Sequence, residues 1–215
     1  MSQERQVKLG MNIYVCIVGE LMTNCYLIEN EKTHETVIVD PGASAHKIAG
    51  TLMNKGLHPV AILLTHAHND HFDGVEGLRE RYGELPVYIG ELETDLLADG
   101  TLNNPFGDSE GLTADHTVSD GQILELAGLT MKVIHTPGHT AGSVCYYFEQ
   151  EKILVAGDTL FFRSYGRTDL ATGSDRDMFD SLAKLLTGLP EDVQVLPGHG
   201  RTTTIGYERA VKGFE

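Results

Sequence analysis

A chain of 215 residues can bury a substantial core, so it is expected to fold as one domain, residues 1–215, without disulfides or other staples. Its 16 basic and 31 acidic residues disfavour nucleic acid as a partner, because affinity for phosphate comes largely from Lys and Arg. No apolar run approaches the ~18 residues that a membrane span requires, so no membrane partner is expected either.

The first half of the chain is predicted to alternate strands and helices. Runs rich in Val, Ile, Tyr and Cys predict strands at residues 12–18, 24–29 and 36–39. Ser44 is the predicted N-cap of a helix over residues 45–54, which ends near Gly56. The continuous apolar run at residues 60–64 predicts a strand that is covered on both faces. A helix at 74–82, a strand at 86–89 and a short acidic helix at 91–98 follow.

The second half begins with a long irregular segment, residues 99–119, rich in Gly, Asn, Asp, Pro and Thr. Loops of this length in compact domains tend to be lids or binding loops. The elements predicted next are strands at 122–126, 130–135, 143–148 and 153–156, a helix at 177–186, a strand at 193–196 and a helix at 207–211. Runs of strands in each half, with helices between and after them, predict an α+β fold with two packed sheets and helices outside.

The cysteines indicate a reducing compartment. Cys16, Cys25 and Cys145 are scattered without a C-x-x-C pair, which argues against a disulfide framework and against a cysteine-based zinc site. We interpret them as small buried side chains. The first six residues are polar and no apolar segment follows them, so no signal peptide is predicted and the expected location is the cytoplasm.

The most informative part of the chain is the histidine segment, THAHNDH at residues 65–71, which directly follows the buried strand. His66 and His68 are two residues apart, so in extended geometry both project to one side and can hold one metal ion. Asp70 and His71 lie one turn further and can face a second ion. Imidazole and carboxylate suit zinc, manganese or iron. A histidine-rich surface loop is the alternative, disfavoured by three His and one Asp within six residues after a buried strand.

Three further candidates lie in glycine-containing turns at predicted strand ends. His139 lies in Thr-Pro-Gly-His-Thr, Asp158 in Ala-Gly-Asp-Thr and His199 in Leu-Pro-Gly-His-Gly. Taken singly, each would be an ordinary turn or surface residue. Three sites of the same character, in a chain that already contains the histidine segment, favour one shared cluster.

With these motifs the chain resembles the metallo-β-lactamase superfamily, and within it the branch of glyoxalase II and the persulfide dioxygenases. The resemblance covers nearly the whole length, from Val-Asp-Pro-Gly at residues 39–42 through His-x-His-x-Asp-His, Pro-Gly-His-Thr, Gly-Asp-Thr and Gly-Arg-Thr-Asp to Pro-Gly-His-Gly. It implies an αββα four-layer sandwich with two divalent metal ions along one edge of the paired sheets. Zinc is the expected metal, and the same ligands also accept iron or manganese.

The resemblance also implies a role for each candidate. The ligands of the first ion would be His66, His68 and His139. The ligands of the second ion would be Asp70, His71 and His199, with Asp158 bridging the two ions. Asp40 resembles the family's supporting aspartate, which orients the histidine segment. The alternative for Asp40 is a simple turn aspartate before proline.

Such a site implies a hydrolase. Two metal ions about 3.5–4 Å apart can share a water and lower its pKa toward ~7, so that hydroxide attacks an electrophilic carbonyl. A thioester suits this chemistry because its leaving thiol, with a pKa near ~8.5, departs without a strong general acid. Asp70 is also the candidate catalytic proton acceptor. Aspartate at position 158 disfavours β-lactam hydrolysis, because the main lactamase groups of the superfamily carry cysteine there.

Residues 164–167, Ser-Tyr-Gly-Arg, resemble the stretch in which glyoxalase II places a cation for the glycine carboxylate of glutathione. Arg167 is therefore the candidate substrate contact, with a structural salt bridge as the alternative. The chain departs from glyoxalase II in the tyrosines of the thiol pocket, since Thr168 and Asp169 follow Arg167 and the Pro-Gly-His-Gly motif is followed by Arg201. It also ends soon after that motif, where glyoxalase II has a helical domain.

The predicted activity is hydrolysis of a small-molecule thioester such as a hydroxyacylglutathione. The alternative enzyme is a persulfide dioxygenase, in which His66 or His68-type ligands and Asp158 hold one iron. That branch shares the Gly-Arg-Thr-Asp string at residues 166–169. A non-catalytic, metal-stabilised module is disfavoured, because structural zinc sites are usually closed, four-coordinate and Cys-containing. Metal identity, the thiol and the oligomeric state are left open by the sequence.

Overall fold

The structure, a computed structural model, describes residues 10–104, 107 and 109–213. Within those residues the strands form two six-stranded sheets and one two-stranded hairpin. The prediction about a signal peptide falls on the first residues, and part of the predicted binding loop falls on residues 105, 106 and 108. Both lie outside the described residues.

Sheet one is built from the first half of the chain. Its strands lie side by side in sequence order: β1 (Met11–Val18), β2 (Thr23–Asn30), β3 (Glu35–Val39), β4 (His58–Leu63), β5 (Val87–Gly90) and β6 (His116–Val118). The first three pair antiparallel and the last four pair parallel. The helices of this half are α1 (Ala45–Lys55), α2 (Asn69–Phe72), α3 (Val75–Tyr82), a 3-10 helix (Glu91–Glu93) and α4 (Thr94–Ala98).

Sheet two is built from the second half. In chain order its strands are β7 (Ile123–Leu126), β8 (Leu129–His135), β9 (Val144–Phe148), β10 (Ile153–Gly157), β13 (Gln194–Pro197) and β14 (Thr203–Thr204), and β10 pairs parallel with β13. Between β10 and β13 the chain forms a small hairpin, β11 (Leu160–Phe161) with β12 (Ser164–Tyr165), and then helix α5 (Asp175–Gly188). Helix α6 (Ile205–Lys212) follows β14.

The side chains of β2 show how the layers are arranged. Successive side chains of a strand point to opposite faces of its sheet. Cys25 and Leu27 belong to the apolar cluster beneath α1 and α3, whereas Tyr26 and Ile28 belong to the cluster between the two sheets. A strand covered on both faces is apolar at consecutive positions, and for that reason β2 lacks the polar alternation of a surface strand.

Three apolar clusters separate four layers. One cluster packs α1 and α3 on sheet one, with Ile48 and Leu78 at its helical side. A second joins the sheets, and the third packs α5 and α6 on sheet two through Met178, Leu182 and Ile205. The predicted α+β fold, an αββα four-layer sandwich, is confirmed.

Several local predictions differ from the structure. Strand β6 lies at the end of the segment predicted to be irregular, and strands β11, β12 and β14 were not predicted; each has only two or three residues and so carries no detectable periodicity. Ser44 does precede α1, but its φ is 52° and its side chain makes no capping hydrogen bond. The prediction of Ser44 as a capping side chain is therefore wrong, because a capping residue needs extended backbone.

The cysteines follow their prediction. Cys16, Cys25 and Cys145 are buried and free. Across the described residues, no helix combines the length and the apolar character that crossing a bilayer would need.

Candidate metal centre

The seven candidate ligands gather at one edge of the sandwich, where strands from both sheets end. The histidine segment follows β4, and the other ligands lie in the β8–β9 turn and directly after β10 and β13. Sheet one therefore supplies four of these side chains and sheet two supplies three: His66, His68, Asp70 and His71 from the first, and His139, Asp158 and His199 from the second.

Hydrogen bonds between the sheets fix the loop that carries His199. The Asn24 backbone N–H donates to the Gly198 carbonyl at 2.7 Å, and the Asn24 side-chain amide donates to the Pro197 carbonyl at 3.0 Å. The Tyr26 hydroxyl donates to the same Pro197 carbonyl at 2.6 Å. Strand β2 of sheet one thus holds the end of β13 in sheet two, so the two sets of ligands face each other.

The first group, His66, His68 and His139, places its ligand atoms within 4.8 Å of one another. His68 Nδ1 lies 2.9 Å from His139 Nε2, and the rings of His66 and His139 meet edge to face with centroids 4.7 Å apart. All three side chains are buried. Three imidazoles converging at these distances can hold one metal ion, as the sequence predicts for them.

The second group, Asp70, His71 and His199, converges in the same way. His71 Nε2 lies 3.5 Å from Asp70 Oδ2 and 3.4 Å from His199 Nε2. Asp158 lies between the groups: its Oδ2 is 3.5 Å from His139 Nε2 and 3.4 Å from His199 Nε2. A carboxylate in contact with both groups is in the position that a bridging ligand requires.

Four histidines turn their Nε2 atoms toward the cluster because their Nδ1 atoms are engaged outside it. The Nδ1 partners are the Arg167 carbonyl for His139 at 2.6 Å, the Leu21 carbonyl for His199 at 3.0 Å, Asp40 Oδ2 for His71 at 3.0 Å and Thr65 Oγ1 for His66 at 3.1 Å. A carbonyl or carboxylate oxygen only accepts, so Nδ1 carries a proton in His139, His199 and His71, and it does so in His66 because the Thr65 hydroxyl donates to Asp40. In the neutral form of each ring, Nε2 then keeps its lone pair. Metal-binding histidines are usually held by such outer partners.

Three buried polar atoms of the cluster have no hydrogen-bond partner among the described residues: His66 Nε2, His68 Nε2 and Asp158 Oδ1. Leaving a buried polar atom unpaired costs about 1–3 kcal/mol, so such atoms need a physical explanation. A divalent cation would accept the lone pairs of His66 Nε2 and Asp158 Oδ1, whereas His68 turns its other nitrogen, Nδ1, toward His139. The donor set of imidazole and carboxylate groups fits such an ion.

Burial keeps two histidines of the first group, His66 and His68, neutral. It lowers the pKa of His66 well below its usual value, and the neighbouring histidines add to the effect. Burial and the ring of His139 also lower the pKa of His68 to about 3. Neutral imidazole is the form that binds metal ions, so these side chains are in the ligating form at neutral pH.

The second group balances its charges internally. Burial alone would lower the pKa of His71, but the carboxylates of Asp70 and Asp158 raise it to about 9. Burial likewise opposes protonation of His199, yet hydrogen bonds to Asp158 and Asp70 raise its pKa to about 10. A divalent cation bound here would displace the protons of these two histidines and supply positive charge in their place.

Two glycines allow the ligand loops to approach each other. Gly157 has a φ of 47°, and a Cβ there would lie 2.3 Å from Thr65 Oγ1. A Cβ on Gly198 would lie 2.1 Å from Asp158 Oδ1. Both positions exclude larger residues, which explains the Gly-Asp and Pro-Gly-His strings of the sequence.

Asp40 lies where a residue that orients the histidine segment would lie. Its Oδ1 accepts the Thr65 backbone N–H at 2.8 Å, and its Oδ2 accepts the Thr65 hydroxyl at 2.7 Å and His71 Nδ1–H at 3.0 Å. A simple turn aspartate would not be buried against these three donors.

Arg167 lies at the mouth of the site. Its exposed guanidinium pairs with Asp169 through two hydrogen bonds of 2.7 and 2.8 Å, so the salt bridge weighed as an alternative is present. Arg167 also borders a cavity of about 350 Å³ above the cluster, whose other walls include Leu21, Phe161 and Leu170. The cavity gives a small molecule access to the ligands.

The sequence does not predict two contacts that support the site. The Thr23 hydroxyl donates to Asp70 Oδ2 at 2.9 Å, and the buried carboxylate of Glu93 accepts the Ala67 backbone N–H at 2.8 Å. Both join residues that are far apart in the chain, so no local pattern signals them.

Comparisons with known proteins agree with this geometry. The model of the metallo-beta-lactamase superfamily matches residues 18–199. The probable metallo-hydrolase YqgX of Bacillus subtilis (strain 168) is 37% identical over 202 residues, 92% of this chain and 94% of the relative. The hydroxyacylglutathione hydrolase GloC of Haemophilus influenzae is 30% identical over 210 residues, 95% of this chain and 98% of the relative.

Solved structures show the same fold. The B3 metallo-beta-lactamase BLEG-1 superposes with a TM-score of 0.87 at 38% identity, covering 93% of this chain and 97% of that one. TTHA1623, solved in a di-iron-bound form, has a TM-score of 0.79 at 35% identity, covering 92% and 98%. ETHE1 from Myxococcus xanthus has a TM-score of 0.75 at 28% identity, covering 93% and 82%. The chain therefore belongs to the metallo-beta-lactamase superfamily, as a metallo-hydrolase with a dinuclear metal site in its cluster of histidines and aspartates.

Proposed function

We propose that this protein is a single-domain hydrolase of small-molecule thioesters, of the glyoxalase II type, with zinc as its metal. The observation that carries the proposal is the seven-residue cluster, complete with an aspartate at position 158, beneath an open cavity with apolar walls. The cluster supplies no Ser or Cys nucleophile, and a thioester needs none when water is activated at the site.

The proposed ligands follow the two groups. His66, His68 and His139 would hold one ion, Asp70, His71 and His199 the other, and Asp158 would bridge them. Bound there, the two ions would polarise the thioester carbonyl and lower the pKa of water, so that hydroxide could attack the carbonyl near neutral pH.

The protein's own residues would orient and protect the reaction. Asp70 is proposed to accept the proton of the attacking water, and the Thr23 hydroxyl at 2.9 Å holds its carboxylate in place. Asp40 holds the Nδ1–H of His71 and so directs Nε2 to the cluster. Leu21 and Phe161 would cover the acyl group and exclude bulk water from the carbonyl.

The identity of the thiol depends on the residues at the entrance to the site. Similarity to GloC, whose name states hydroxyacylglutathione hydrolysis, supports glutathione. Thr168 and Asp169, however, occupy the positions that follow Arg167, where glyoxalase II has a thiol-pocket tyrosine. The Arg167 guanidinium is already paired with Asp169, and an anionic carboxylate of the substrate would have to compete for it.

A substrate panel on metal-replete enzyme tests the proposal. S-lactoylglutathione, its neutral analogue S-lactoyl-N-acetylcysteamine and a coenzyme A thioester would report thioester cleavage through the released thiol. A cephalosporin belongs in the panel because BLEG-1 is named a metallo-beta-lactamase. We expect thioester turnover that chelation abolishes and no β-lactam turnover. Background rates on every thioester would refute the proposal.

A persulfide dioxygenase is the second candidate. Similarity to ETHE1 favours it, and TTHA1623, solved in a di-iron-bound form, supports iron as the metal although it holds two ions. In this alternative one iron is held by histidine ligands of the kind of His66 or His68, together with Asp158. Oxygen consumption with glutathione persulfide, compared between iron-loaded and zinc-loaded protein, separates the two candidates. Full thioesterase activity in an iron-free preparation would eliminate the dioxygenase.

A further inference from the structure

Glu93 is a fully buried carboxylate that the proposed chemistry does not use. It ends the 3-10 helix that follows β5, and its two oxygens accept two backbone N–H groups. Oε2 accepts the N–H of Ala67 at 2.8 Å, and Oε1 accepts the N–H of Gly142 at 2.6 Å. Burial of an ionised carboxylate is expensive unless charged or hydrogen-bonding partners offset it, so these two N–H groups matter.

The two donors lie in the two segments that carry the first group of ligands. Ala67 lies between His66 and His68 in sheet one, and Gly142 lies in the β8–β9 turn of sheet two, which carries His139. One carboxylate therefore joins the two backbone segments across the edge of the sandwich.

We propose that Glu93 is a positioning residue that sets the affinity of the first metal position, at His66, His68 and His139, without contacting the metal. The inference rests on the ligand assignment of the proposed function. Among the described residues, the hydrogen bonds of Glu93 do not reach Asp70, His71 or His199, whereas Asp40 binds His71 directly. Asp40 also reaches the first position, because the Thr65 hydroxyl that it accepts is the partner of His66 Nδ1.

The test is metal binding by the full chain carrying Glu93→Gln. Glutamine has the same size but one acceptor oxygen, and its NH₂ would face one of the two backbone N–H groups. Removing an outer partner of a metal site typically lowers affinity about 10–100-fold, and we expect that loss at the first position only. Asp40→Asn alters contacts of both positions, so it should weaken both.

Titration with Co²⁺ measures both positions without any substrate. Chelator competition gives two dissociation constants, and the paramagnetically shifted imidazole N–H signals assign them. The Nδ1–H of His139 reports the first position, and the Nδ1–H groups of His71 and His199 report the second. The matched control is Glu208→Gln, another fully buried glutamate, which binds the Arg163 N–H and the Thr203 hydroxyl instead.

Equal loss at both positions, or the same loss in the Glu208 variant, would overturn the inference, since either result means a general effect on folding. Unchanged Co²⁺ binding would overturn it as well. If Glu93→Gln fails to fold, Glu93→Asp keeps the charge but is too short to reach both N–H groups, and the same selective loss is expected. Wild-type protein that binds two ions but cleaves no thioester would refute the proposed function and leave this inference standing.

Discussion

Replacement of Asp40 tests how a buried carboxylate controls a ligand. Asparagine keeps one oxygen for the Thr65 N–H, but its NH₂ would face the Thr65 hydroxyl and His71 Nδ1–H. The hydroxyl can rotate and accept. The imidazole can accept only if its proton moves to Nε2, which would turn an N–H toward the metal position.

The expected losses follow from these contacts. A hydrogen bond to a charged group contributes about 1.5–3 kcal/mol, so Asp40→Asn should destabilise the metal-free protein by about 2–3 kcal/mol. Asp40→Ala removes all three acceptor contacts and leaves, at a φ of 51°, a residue without the short polar side chain that lets Asp adopt left-handed backbone. The left-handed backbone alone costs about 1–2 kcal/mol for such a residue.

Urea unfolding of the metal-free variants, with midpoints compared at constant m, measures these losses. Asp40→Gly separates the cost of the left-handed backbone from the cost of the lost hydrogen bonds. At a position with ordinary backbone, a glycine variant is about 0.4–1 kcal/mol less stable than an alanine variant. We expect the glycine variant to be at least as stable as the alanine variant. An alanine variant that is clearly more stable would refute the argument about backbone strain, and unchanged affinity of Asp40→Asn for the second metal ion would refute the argument about His71.

Three further predictions concern the edge of the sandwich. Gly198→Ala should abolish binding of two metal ions, because the new Cβ would lie 2.1 Å from Asp158 Oδ1; elemental analysis checks this. Its control is Gly50→Ala, in open space on α1, which should stabilise the protein by about 0.5–1 kcal/mol, as melting curves would show. Tyr26→Phe should cost about 1 kcal/mol in urea unfolding, because the Pro197 carbonyl keeps its bond from Asn24; a loss above 3 kcal/mol would contradict this. Chelation should lower the melting temperature reversibly, since an ion at 100 times its dissociation constant contributes about 2.7 kcal/mol per site.

The sequence predicts the metal cluster better than it predicts the contacts that support it. Each ligand follows a strand or a glycine turn that is recognisable locally, so seven residues could be placed at strand ends before their distances were known. Thr23, which bonds Asp70 47 positions away, is the first residue of β2 and carries no local sign of that contact. Glu93 lies in a short acidic helix, where a glutamate suggests solvent rather than burial. These contacts depend on how the sheets meet, which no local pattern encodes.

The elements of the fold divide in the same way, into those that a local pattern predicts and those that depend on tertiary pairing. Strand β4 was predicted from its continuous apolar run, because burial on both faces leaves a compositional mark. Strand β14 has two residues and exists through its pairing with β13, and β6 is held beside β5 at the end of a polar loop. The prediction for Ser44 is wrong for a related reason: the residue type suggests a cap, but the backbone conformation, with a φ of 52°, is not visible in the sequence.

The division of ligands between the sheets links metal binding to the stability of the sandwich. His66, His68 and His139 come from different sheets, and so do His71 and His199, so each ion would connect the two sheets at their shared edge. The apolar cluster between the sheets and the bonds from β2 to Pro197 hold that edge in place. Rigid sheets supply the accuracy that a dinuclear site needs, while the loops that start from them supply the side chains. The metal position is therefore a property of the interface between the sheets.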